Sequence, residues 1–240
     1  MKKLILTTIV MMAVALTSIV NAQSLDEILN KHFKAVGQDK LMAIKSIYIK
    51  AKVNQMGMDI PMEMKIKQPS KFMVTLEMQG QKMIQAFDGE KGWMIAPWVS
   101  SEPQELTGDM LTQAKQQADM MVESELYDYE KKGNTADFSG KVNLDGKEAY
   151  RIKLTASDGS SKDYFIDANN YQIVKVAAKV SAGGQTLNVE QIMSDFKTID
   201  GITMATKIEQ KIPTGNTTIT MEDIRFNENY DDSVFKQPSK

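Results

Sequence analysis

Met58-Asp59-Ile60-Pro61-Met62-Glu63-Met64-Lys65-Ile66-Lys67 alternates apolar and polar side chains without a break. A β-strand sends successive side chains to opposite faces, so this stretch carries one oily face (Met58, Ile60, Met62, Met64, Ile66) and one wet face. Helical spacing would scatter both kinds around the axis, which makes a strand facing a core on one side the natural reading.

The same period extends in both directions. Upstream, Ile47, Ile49, Ala51 and Val53 alternate with polar or solvent-tolerant neighbours. Downstream, Phe72, Val74, Leu76 and Met78 form a strand, Gly80 turns the chain, and Met83 to Phe87 leads through Asp88-Gly89, a hairpin signal, to Trp93 to Ile95. The N-terminal half is therefore a meander. Later strands are predicted at Phe138 to Leu144, Ala149 to Thr155, Asp163 to Ile166, Ile173 to Val180, Leu187 to Phe196, Ile202 to Ile212 and Thr217 to Phe226. Asp145-Gly146, Asp158-Gly159, Asn169-Asn170, Gly183-Gly184, Asp200-Gly201 and Gly215-Asn216 separate them with residues that tolerate positive φ.

Two regions break the pattern. Ser24-Leu25-Asp26-Glu27 reads as a capping box, and Leu25, Ile28, Leu29, Phe33 and Val36 recur at helical spacing up to Gly37, with a second short turn over Asp39 to Ile44. Between Glu105 and Tyr129, the residues Leu106, Met110, Leu111, Ala114, Ala118, Met121 and Val122 fit a helical insert, at about 105–129. About a dozen strands with no βαβ alternation imply a mainly β protein with a few helices. Twist accumulates across so many strands, so the antiparallel sheet should curl into an incomplete, half-open barrel with the helices over its concave side.

Met1-Lys2-Lys3, the uncharged run Leu4 to Val20 and Val20-Asn21-Ala22 read as a secretory signal peptide cleaved after Ala22. A single domain over 23–240 in the periplasm is then expected, and losing Lys2 and Lys3 makes a chain of net charge −2 more acidic still. No cysteine is present, so neither a disulfide nor an acylated N-terminal cysteine can form. Basic residues are spread singly, and nucleic acid is not an expected partner.

Catalytic chemistry finds few candidates. His32 is the single histidine and lies beside Phe33 on a helix, where a structural role is expected. One histidine and no thiol cannot assemble the usual zinc sets or a nucleophile triad. Asp88, Asp145, Asp158 and Asp200 each precede a glycine and serve turn geometry. Asp167-Ala168-Asn169-Asn170 lacks the glycine and distal glutamate of a calcium loop, and Asp231-Asp232 reads as a solvated tail. No enzyme activity, cofactor or metal is expected.

Methionine is abundant, 18 in all, of which Met1, Met11 and Met12 fall in the leader. Its unbranched, polarisable side chain suits a surface that receives variable apolar ligands, and it also pads ordinary cores. Met58, Ile60, Met62, Met64, Ile66, Phe72, Val74, Leu76 and Trp93 are the expected lining of an apolar cavity.

Gln68-Pro69-Ser70-Lys71-Phe72, then Phe87-Asp88-Gly89 and Trp93, resembles the periplasmic lipoprotein carrier family typified by LolA, although Gln68 stands where that family carries arginine. Asp231-Asp232-Ser233-Val234-Phe235 and Pro238 are similar to the family's closing segment. The resemblance implies a half-barrel with a helical lid over an apolar cavity for the acyl chains of lipoproteins or related lipids. It further implies a role in sorting lipoproteins to the outer membrane, as a monomer, with membrane-associated donor and acceptor proteins. The alternative on the same fold is a periplasmic interaction or sensing module that does not shuttle lipid.

Overall fold

The computed structural model describes residues 23–120, 124–182, 185–213 and 215–238. The leader, Met121 and Val122 of the expected insert, and the Gly183-Gly184 turn lie outside the described residues.

Helix α1 (Leu25–Val36) starts where Ser24 Oγ accepts the Glu27 N–H at 3.2 Å and ends at Gly37, in the left-handed region at φ 73°. Gly37 is required twice over. Its φ excludes most side chains, and a Cβ there would lie 2.2 Å from the Gly201 carbonyl oxygen. Helix α2 (Gln38–Ala43) follows at once.

The strands are β1 (Ser46–Gln55), β2 (Met58–Lys67), β3 (Lys71–Met78), β4 (Gln81–Phe87), β5 (Gly92–Ala96), β6 (Ser100–Leu106), β7 (Thr135–Leu144), β8 (Lys147–Thr155), β9 (Ser161–Asp167), β10 (Ile173–Ala182), β11 (Gln185–Ile199), β12 (Ile202–Ile212) and β13 (Gly215–Phe226). They form one antiparallel sheet in the order β6-β5-β4-β3-β2-β1-β13-β12-β11-β10-β9-β8-β7. Every neighbour is a sequence neighbour except β1 and β13, which join the two meanders. The sheet curves without closing, so β6 and β7 remain its two edges. Register shifts in the β1–β13, β5–β6, β7–β8 and β9–β10 pairs add local bend.

Two elements differ from the sequence-based expectation. Leu106 ends strand β6 rather than opening the insert, and helix α3 runs over Gly108–Met120. Ser100-Ser101-Glu102-Pro103-Gln104-Glu105 has no apolar alternation because it is an edge, where polar side chains and a proline without an N–H are tolerated.

The chain between β6 and β7 carries α3 and a turn-rich stretch from one sheet edge to the other. Ala114 and Ala118 of α3 bury in the core of the N-terminal half, and Leu126 buries in that of the C-terminal half. Among the described residues no helix is long and apolar enough to cross a membrane.

A candidate apolar site on the concave face

Antiparallel partners point the same way, so the register sorts every side chain by face. The lowest concave row runs Ile47, Ile66, Phe72, Phe87, Gly92, Leu106 across β1 to β6. Its side chains are almost wholly buried, each stabilising by about 1.5–3 kcal/mol. Gly92 leaves room for its neighbour, since a Cβ there would sit 2.9 Å from Leu106 Cδ1. The protein's own atoms therefore fill this end.

Above it, the rows open. One runs Ile49, Met64, Val74, Gln85, Met94, the next Ala51, Met62, Leu76, Met83, and the third pairs Val53 with Ile60. Met64, Val74, Leu76, Met94 and Val53 are only partly buried, and Met221 and Ile219 extend the rows onto β13. Leu111 of α3 and Leu41 of α2 pack against them. Small side chains at Ala114 and Ala118 let α3 lie close to the sheet. No charged side chain stands in these rows; Gln85 is an amide within them, and Gln104 on β6, the register partner of Met94, closes the first.

Of the nine residues expected to line a cavity, eight share this face. Ile60, Met62, Ile66 and Phe72 are buried in it, Met64, Val74 and Leu76 are half-buried, and Met58 is exposed where β2 begins. Trp93 does not join them. Its register partners are Ala86, then Met73 and Lys65, so it stands on the convex face, and Met94 takes the concave position beside it. Gly92-Trp93-Met94-Ile95-Ala96 is apolar at every position because both faces are covered, and alternation there carries no sign. Val53, Met94, Leu111, Ile219 and Met221 join the candidate site; Met221 and Ile219 depend on the β1–β13 pairing, which no local pattern reveals.

What covers Trp93 is the C-terminal segment. Its indole N–H donates to the Phe235 carbonyl oxygen at 2.9 Å, and Phe235, in a 3-10 turn over Asp232–Phe235, is completely buried. Asp232 bridges Lys67 (2.6 Å) and Lys71 (2.7 Å), so the expected solvated tail is instead a strap. Hydrogen bonds from those two ammonium groups pull the Asp232 carboxyl down to about 2.

A polar band, Gln55, Thr217, Gln210 and Gln191, crosses the concave face and continues into Val176, Tyr164 and Ile152. On its floor side Ile219, Ile208 and Met193 carry the apolar rows across β13, β12 and β11, and a second core lies under α1, built on Ile28, Leu29, Tyr150, Ile152 and Ile166. There His32 is buried with Nδ1 2.7 Å from the Tyr171 carbonyl oxygen, and burial lowers its pKa. Glu125, beyond α3, accepts from Lys162 at 2.6 Å and from the Tyr164 hydroxyl. Burial pushes Glu125 upward, but these hydrogen bonds outweigh it and leave its carboxyl below the ordinary range. Burial, then the Glu125 charge, pushes the Tyr164 hydroxyl upward. Among the described residues no three His, Cys, Asp or Glu side chains converge to hold a metal ion.

The chain resembles several solved structures over nearly its whole length. A DUF1329 family protein from Desulfovibrio piger is 15% identical, with a TM-score of 0.61 over 87% of this chain and 97% of that one. A LolA superfamily protein from Nitrosomonas europaea is 17% identical, with a TM-score of 0.58 over 90% and 98%. A domain described as an outer membrane lipoprotein-sorting protein, from Vibrio parahaemolyticus, is 12% identical, with a TM-score of 0.57 over 84% and 95%. These likenesses show a shared fold. A family model described as "-like: Uncharacterized protein" matches residues 67–239, and no curated protein matches the sequence.

Proposed function

The chain belongs to the family whose model spans residues 67–239 and has the LolA-superfamily fold, and from that premise we propose that it is a non-catalytic periplasmic carrier of acyl chains. The observation that carries this reading is the set of half-buried, uncharged rows around Met64, Val74, Leu76 and Met94, beneath α2 and α3 and above a sealed floor.

An acyl chain of about fifteen methylenes laid along these rows gains on the order of 12 kcal/mol before ordering costs, at about 0.8 kcal/mol per CH₂. Capture needs nothing more than apolar area. Release is the harder step, and it is served by methionines that repack at little cost and by a cover attached through small alanine contacts. The polar band of Gln55, Thr217, Gln210 and Gln191 bounds these rows on the side of the β1–β2 and β12–β13 turns, because burying those groups against hydrocarbon would leave them unpaired.

The cargo we propose is an acylated lipoprotein or lipid bound for the outer membrane, taken from and passed to membrane-associated proteins by a monomeric carrier. The Met1–Ala22 leader supports export, and the fold shared with the Vibrio sorting domain supports the cargo class. Native mass spectrometry of the mature chain from its own periplasm tests this. Lipid-sized adducts that leave on mild activation are expected. A chain that arrives without lipid, and does not take up a fluorescent fatty-acyl probe, overturns the reading.

A further inference from the structure

We propose that the sheet end carrying the β1–β2, β3–β4 and β5–β6 turns and the end of β10 seats on an anionic lipid surface, independently of any cargo. Six of the large apolar side chains that stay exposed gather at this one end: Met56, Met58, Met78, Trp98, Val99 and Val180. They come from four different hairpins, and the register puts them at the same ends of their strands.

Met56 is 84% exposed at φ 51°, in the two-residue turn it forms with Gly57 at φ 80°. Such a turn prefers asparagine or aspartate before glycine, so neither turn chemistry nor core packing accounts for a methionine there. Trp98, 63% exposed, sits in a turn held by the Val99 N–H donating to the Ala96 carbonyl oxygen at 2.8 Å. An indole raised on a fixed tip, next to Val99, suits the boundary between headgroups and acyl chains. Gln55, Gln79 and Gln81 stand at the turns, and the carboxylates beside the anchors face lysines, Asp59 with Lys52 at 3.6 Å and Glu77 opposite Lys82.

The same end supplies the charge that such a surface attracts. A groove of about 580 Å³ on the convex side of β8 to β12 is lined by Arg151, Lys153, Lys179 and Lys211 against Asp163 and Glu190. Asp163 is held by Arg151 at 2.8 Å and Glu190 by Lys175 at 2.5 Å, which leaves cations in excess. Apolar tips on one half and lysines on the other match an anionic bilayer better than a protein partner of fixed outline. Met58, Met78 and Val180 also belong to the concave face by register, so the rim is continuous with it.

The two tryptophans make the test direct, because Trp93 is 3% exposed under the strap and only Trp98 can meet a vesicle. The mature chain is mixed with vesicles of phosphatidylcholine, alone or with phosphatidylglycerol, and followed by emission and by co-sedimentation. Expected are a blue shift and sedimentation with the mixed vesicles, weakened by added salt. Met56→Ser/Val99→Ser, which keeps the reporter, should weaken partitioning roughly tenfold. Lys153→Gln/Lys179→Gln/Lys211→Gln should remove the preference for phosphatidylglycerol. All five positions are surface ones, and an unchanged urea midpoint shows that the variants fold. No sedimentation with either vesicle overturns the proposal, as does a Met56→Ser/Val99→Ser chain that partitions like the parent. Equal binding to both vesicle types overturns the anionic surface. None of these failures alters the lipid adducts expected of a carrier.

Discussion

Leu76 and Thr75 are adjacent in β3 but stand on opposite faces, Leu76 beside Met62 and Met83, Thr75 opposite Glu63. Leu76→Asp places a carboxylate in the row that would hold an acyl chain. A bound chain must withdraw about three methylenes from that position, at about 0.8 kcal/mol each, or else the carboxyl must take up a proton against burial. Affinity should fall by about 2–3 kcal/mol, roughly 30- to 150-fold. Leu76 is only partly buried, so the fold should survive, in contrast to removal of the fully buried Phe72 ring. Thr75→Lys, facing Glu63 on the wet side, should bind as the parent does. Titration with a fluorescent fatty-acyl probe, alongside a urea unfolding curve for each variant, gives both numbers. Equal binding by Leu76→Asp and the parent, or equal losses in both variants at intact stability, would refute the concave rows as the site.

The strap and the helices offer further tests. Phe235→Ala empties a completely buried position and should cost about 3–5 kcal/mol in urea unfolding, with Trp93 emission moving red as its cover loosens. Asp232 has a folded pKa of about 2 against an ordinary 3.8, so its contribution is complete above that ordinary value and is lost as the pH falls toward 2. Limited proteolysis should release the strap over that window, and Asp232→Asn should flatten the dependence. Burial lowers the His32 pKa below 6.5, so the unfolded chain takes up the proton first and stability should decline as the pH drops below that value; His32→Gln should remove this slope from thermal unfolding measured across pH. Gly37→Ala should unfold the chain at lower urea than any exposed substitution, since φ 73° and the Gly201 carbonyl oxygen both oppose a methyl group.

Much of the architecture is legible in residue order. The Met58 to Ile66 alternation fixes the face of β2, and the hairpins on either side carry that face to β1, β3 and β4. Where a strand is covered on both sides, as at Gly92–Ala96, the alternation vanishes, and Trp93 can be assigned only from its register with Ala86. Where a strand is an edge, as at Ser100–Leu106, polarity hides it. The contributions of Met221 and Ile219, the Glu125–Lys162–Tyr164 group and the grip of Lys67 and Lys71 on Asp232 all join distant parts of the chain. Local periodicity contains no information about such partners.

The pairing of β1 with β13 also has a bearing on how the molecule comes into being. As the chain emerges, β1 to β6 can zip up hairpin by hairpin, yet the outer margin of β1 must wait for β13, the last strand. Until Ile47 meets Phe226 and Ile49 meets Ile224, that margin offers unpaired amides and carbonyls beside a row of isoleucines, the pattern on which one nascent chain recruits another. Lys50 and Lys52 alternate with Ile49, Ala51 and Val53 and keep the waiting margin charged on its other side, so the newborn half-sheet carries its own deterrent to self-association until its C-terminal partner arrives.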